Sequence, residues 1–131
     1  MMRLIAVCFG MLLFSASIVQ SNVKTKNGVI VQLRALDTIT GLVKDIELTV
    51  GDTTVYERLR ISVKSCRYPL VNINSDAFAY LVIRDVRESN PSFEGWMIAS
   101  SPALSALEHP RYDVWVLRCK PAELIFKNLL G

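Results

Sequence analysis

The sequence predicts an all-β protein, a small sandwich or barrel of about six or seven mainly antiparallel strands with one short helix. Three observations carry that expectation. Apolar and polar residues alternate with a period of two through most of the chain after residue 28. Turn-forming clusters such as "DTITG", "GD" and "RESNPS" separate the alternating runs. Helical patterns are confined to Pro102–Glu108 and the tail after Pro121.

The elements follow in order. Val29 to Leu36 sets Val29, Val31, Leu33 and Ala35 against Gln32 and Arg34, the pattern of a half-buried strand. Asp37 to Gly41 is turn chemistry. Val43 to Val50 puts Ile46, Leu48 and Val50 on one face, and Gly51-Asp52 then reads as a two-residue hairpin turn. Thr54 to Ser65 places Leu59, Ile61 and Val63 inside, with Arg58, Arg60 and Lys64 outside. Tyr68 to Asp76 is a loop. Ala77 to Val86 is apolar on both faces as far as Ile83, which predicts a central strand. Phe93 to Ala99 and Tyr112 to Cys119 are two more strands. Between them Ser101 is the expected N-cap of a helix over 102–108, with Pro102 in its first turn and Pro110 as its stop. The tail gathers Ile125, Phe126, Leu129 and Leu130 on one side of a short helix. Such a helix either docks on its own core or offers an apolar handle to a partner.

The N-terminus predicts export. Arg3, the apolar run Leu4–Phe14 and the small-residue exit "SASIVQS" form a secretory signal peptide, cleaved after Ser21 or after Ser17. Counted to Val19 the apolar segment is 16 residues, short of the ~20 that a spanning helix needs. A membrane role is therefore expected only through an uncleaved signal segment. The domain reading is a signal peptide over 1–21, a polar linker over 22–28, one β domain over 29–120 and a tail over 121–131. Removing 1–21 takes one arginine and no acid, leaving fourteen basic residues against twelve acids, a charge of +2. Basic and acidic residues interleave along the chain, so no nucleic-acid partner is expected. The expected address is periplasmic or secreted.

Cleavage also removes Cys8, and an exported domain left with Cys66 and Cys119 most simply forms one disulfide. The closed loop spans 53 positions, for which the chain-entropy relation gives about 4 kcal/mol of stabilisation. Cys66 falls in phase with the charged face of its run. Either a bulge shifts the phase just before it, or the bridge lies at the rim of the sheet.

The stretches "LRALDTITG", "VGDT" and "FEGWMIASSPALSALEHPRYDVWVLRC" resemble a bacterial family defined only as domain of unknown function 2155, over roughly Val31 to Cys119. The resemblance implies small exported proteins of Gram-negative bacteria. It carries no catalytic or binding residues onto this chain.

The chemistry-bearing residues are few. Structural zinc needs four Cys or His ligands, and the mature chain holds three such residues. The acids are spread evenly and no phosphate-cradling glycine loop is present, so neither metal nor cofactor is expected. Ser100 or Ser101, His109 and Asp113 could be written as a triad, but no Gly-x-Ser-x-Gly elbow surrounds the serine. Helix capping by Ser101 and a helix stop at His109-Pro110 account for the same residues. Trp96 and Trp115, expected on neighbouring strands, are read first as core and second as an aromatic platform for glycan or peptide. The leading expectation is a non-catalytic envelope domain that binds protein. The alternative is a glycan- or peptidoglycan-binding module, or a small hydrolase, built on Trp96, Ser101 and His109.

Overall fold

The computed structural model describes residues 16–18 and 22–130. Arg3, the run Leu4–Phe14 and the Ser21 cleavage point lie outside the described residues; Ser17, the other cleavage point, is exposed. Eight strands form two antiparallel sheets packed face to face, so the all-β expectation holds and the architecture is a sandwich. One sheet has the order β1 (Thr25–Asn27), β5 (Leu59–Pro69), β6 (Phe78–Asp85), β7 (Phe93–Ile98), with β4 (Thr53–Tyr56) also paired to β5. The other has β2 (Ile30–Asp37) between β3 (Val43–Thr49) and β8 (Tyr112–Lys120). The core is the set of inward alternating side chains, among them Val31 and Leu33 of β2, Ile61 and Val63 of β5, Leu81 and Ile83 of β6, and Val116 of β8.

Several elements depart from their sequence pattern. The polar stretch 22–28 is not merely a linker, because β1 pairs with the far end of β5. The run from Thr54 to Ser65 is two strands: Tyr56 pairs with Leu59, and Glu57 turns the chain at φ +50. No Gly, Asn or Asp marks that turn, which is why alternation alone runs straight through it. β5 also continues to Pro69, beyond the expected start of the loop at Tyr68.

Gly51-Asp52 is a crossover and not a hairpin. Val50 N–H bonds to Val29 O beside β2, while Gly51 N–H bonds to Val63 O of β5. Two consecutive amides thus serve different sheets, and Gly51 takes φ +97 to do so, a conformation that favours glycine.

Only Pro102–Leu104 of the expected 102–108 helix is helical, as one 3-10 turn. Ser101 makes no side-chain capping bond; its own N–H bonds to Ile98 O. Leu107 is buried in the core, so hydrophobic burial sets the chain's path here in place of helical propensity. The tail does form a helix, α1 (Ala122–Leu130), but none of its residues is buried. Phe126 and Leu129 are 63% and 76% exposed, so the helix does not dock its apolar side on the core. No helix among the described residues is long and apolar enough to cross a membrane.

Both cysteines reach the core through bulges. In β5 the pairing steps from Val63 to Ser65, leaving Lys64 as the extra residue. In β8 it steps from Val116 to Arg118 against Leu33 and Gln32, leaving Leu117 extra. Each bulge lies two residues before a cysteine and reverses its facing, so Cys66 and Cys119 turn inward and are buried. Their disulfide, with Cα atoms 5.9 Å apart, ties β5 of one sheet to β8 of the other. Gly28 crosses between the sheets directly over it: its N–H bonds to Cys66 O, and a Cβ there would collide with both sulfur atoms.

Candidate functional site

The residues proposed for hydrolysis do not assemble. His109 is enclosed, with its side chain 3% exposed. Its Nδ1 accepts the backbone N–H groups of Arg111 (3.1 Å) and Tyr112 (3.2 Å). An accepting Nδ1 carries no proton, so Nε2 carries it and donates it to Asp85 Oδ2 at 3.0 Å. Both ring nitrogens are therefore committed. Asp113 is exposed on β8, and Ser100 bonds to Asp76 through both its N–H and its hydroxyl. The partner of His109 is Asp85, a residue that sequence spacing did not single out.

Asp85 and His109 belong to a polar cluster that closes one end of the sandwich. Asp85, 1% exposed, also accepts the backbone N–H and the guanidinium of Arg87. The His109 hydrogen bond first, then those from Arg87, hold its carboxyl far below the usual carboxylate range. Asp37 accepts both arms of Arg111 at 3.1 and 2.8 Å, and the N–H groups of Ile39 and Thr40. Chiefly through Arg111, and against the cost of burial, its pKa is lowered to about 2. Tyr112 stands between the two acids, stacked on His109 at 5.1 Å and flanked by the Arg58 and Arg111 guanidinium groups. Every acid and the histidine are engaged with local partners. The cluster is a structural clasp, opposite in the sandwich to the disulfide.

The open chemistry lies on the outer face of the five-stranded sheet. Odd-numbered residues of β6 point inward, and Phe78, Tyr80 and Val82 point outward beside Ile98, Trp96 and Glu94 of β7. Trp96 is 41% exposed and meets Tyr80 edge to face, with ring centroids 5.6 Å apart. Phe78, Trp96, Ile98 and Arg67 line a trough of about 490 Å³, bordered by Val23 where the chain approaches β1. Trp96 is thus not core. Trp115 lies in the other sheet on its outer side, half-buried beside the Pro102–Leu107 segment, so the two tryptophans form no common platform.

Charge on this face is unbalanced. Arg60 of β5 and Arg84 of β6 stand directly opposite each other, and Lys64 and Arg67 follow along β5. None of these four cations forms an ion pair among the described residues. Arg84 bonds to the backbone carbonyl of Glu88, and Arg67 is held by the neutral groups of Thr25 and Asn27. Sequence alternation had set Arg60 outward, but the cross-strand pairing that brings Arg84 opposite is invisible in it. Among the described residues no group of three His, Cys, Asp or Glu side chains is placed to hold a metal ion.

Comparison with known proteins gives a family. Residues 31–119 match the model of a family described as an uncharacterized protein conserved in bacteria (DUF2155). The chain belongs to this family. The DUF2155 region runs from β2 to the second cysteine, so it contains Trp96, Arg60, Arg84 and both halves of the disulfide, and it leaves out β1 and α1. An uncharacterized protein of Rickettsia prowazekii (strain Madrid E) is 31% identical over 88 residues, 65% of this chain and 57% of that protein. The chain thus spans little more than half the length of this relative. No solved structure matches the chain.

Proposed function

We propose that the protein is a non-catalytic domain of the bacterial envelope, exported to the periplasm or beyond, which binds a protein partner through the outer face of the five-stranded sheet. One observation carries this reading. In a two-layer antiparallel sandwich each strand should be apolar inward and polar outward. β6 breaks that rule, since Phe78, Tyr80 and Val82 face out, half-buried, and among the described residues no third layer packs over them. The buried disulfide supports an oxidising destination, and the signal-like N-terminus supports export. The engaged nitrogens of His109 argue against hydrolysis.

A glycan-binding reading draws on one feature, the exposed Trp96 ring, on which a sugar could stack. Capture from envelope extract by the mature, disulfide-bonded protein separates the two. Release of the captured material by protease supports the protein-binding reading; release by muramidase or glycosidase, or no capture, contradicts it. N-terminal sequencing of the envelope form should begin at Asn22 or Ile18, and an intact Met1 would contradict export.

A further inference from the structure

Resting on the protein-binding reading, we infer that the partner of the five-stranded face is an acidic segment that lays carboxylates on Arg60 and Arg84 and an apolar side chain beside Trp96. Two arginines directly opposite on adjacent antiparallel strands repel at a separation of roughly 5 Å between their Cβ atoms, an arrangement that weakens a sheet. No described carboxylate forms an ion pair with either residue, and Glu94 of β7, an acid on the same face, pairs with neither. A carboxylate placed between them would accept from both guanidinium groups, whose planar forks suit that geometry. Lys64 and Arg67 extend the positive charge along β5 towards the trough at Trp96 and Ile98. The complement to this face is therefore negative with an apolar anchor.

The backbone favours an extended protein segment over other anionic material. Ala99 N–H bonds to Ala77 O, so alternation turns the amides of Met97 and Gly95 towards β6 and those of Trp96 and Glu94 towards the unpaired edge. An added strand there would gain main-chain hydrogen bonds and seat its apolar side chain at Trp96. The acidic residues flanking it would cross the outer face to Arg84 and Arg60, two and three strands away. The β3 edge of the three-stranded sheet is not equivalent. Its Lys44 lies on the inward side opposite Ala35, a placement that discourages strand addition.

Site-specific photo-crosslinking in the full chain, in its native envelope, tests this. The probe replaces Ser65, outward on β5 opposite Tyr80, or Gln32, outward on β2, as the control position. The expected result is a Ser65 adduct to a protein segment rich in Asp and Glu. Arg60→Gln and Arg84→Gln should each lower its yield roughly 3- to 10-fold at low salt, and Arg34→Gln should not. Because Arg60→Gln relieves repulsion, it should melt no lower than wild type while losing the adduct, which separates lost binding from lost folding. A protein adduct from Gln32 alone would overturn this inference and leave the protein-binding reading standing. A Ser65 adduct to a basic or neutral segment, or one insensitive to Arg60→Gln and Arg84→Gln, would also overturn it. Adducts to glycan or lipid only, or none at either position, would overturn both.

Discussion

The two outer faces of this sandwich treat charge in opposite ways. On the three-stranded sheet Arg34 grips Asp45 at 2.7 and 3.0 Å and Lys120 reaches Glu47 at 2.9 Å, so opposite charges meet within the face. On the five-stranded sheet Arg60, Lys64, Arg67 and Arg84 form no ion pair among the described residues, and an aromatic strip lies beside them. Exposed ion pairs contribute only about 0–1 kcal/mol each, so the difference says little about stability. It says which face is complete in the isolated chain. The closed interior and its two clasps set stability, and the five-stranded face is the surface proposed to bind.

That division can be broken by measuring both properties in the same variants. The largest losses of stability should come from the clasps. Reduction of Cys66–Cys119, or the paired change to serine, should lower the unfolding free energy by about 4 kcal/mol for its 53-residue separation. Tyr112→Ala should cost about 3–5 kcal/mol, as other buried aromatic truncations do. Gly28→Ala should cost about 1–3 kcal/mol, since the new methyl must displace the disulfide. His109→Ala, which leaves Asp85 without its principal donor, falls in a similar range of about 1–3 kcal/mol. Chemical denaturation checks all four, and a full-stability Tyr112→Ala would remove the clasp from the account.

The pH dependence sharpens the same division. Asp37 and Asp85 are both depressed, so they bind protons more weakly in the folded chain than in the unfolded one. Their contribution is complete above the ordinary carboxylate value of 3.8 and is lost as pH falls through the folded value, about 2 for Asp37. Melting temperature should therefore drop between about pH 4 and pH 2. Asp37→Asn should flatten that drop, and Asp45→Asn on the outer face should flatten it less.

The alternation of β2 and of Leu59–Val63 in β5 was legible, because burial on one face writes itself into every second residue. The bulges at Lys64 and Leu117 were not: one extra residue changes the facing of Cys66 and Cys119 without a composition signal. The expectation of a bulge or a rim position at Cys66 arose from the phase conflict itself, and the bulge answers it. Asp113 was singled out in place of Asp85 because sequence proximity to His109 stood in for spatial proximity. The apolar outward side of β6 was legible as sequence, but it read as a covered central strand. Only the two-sheet topology shows that no third layer packs on that face among the described residues.

Trp96→Ala, tested for stability and for capture of envelope protein in one preparation, addresses the central claim most directly. Trp96 is 41% exposed, and its edge contact with Tyr80 is its main specific interaction. The account expects a loss of about 1–2 kcal/mol, well short of the 3–5 of a core tryptophan, together with loss of capture. Capture at the wild-type level in a folded Trp96→Ala protein would contradict it.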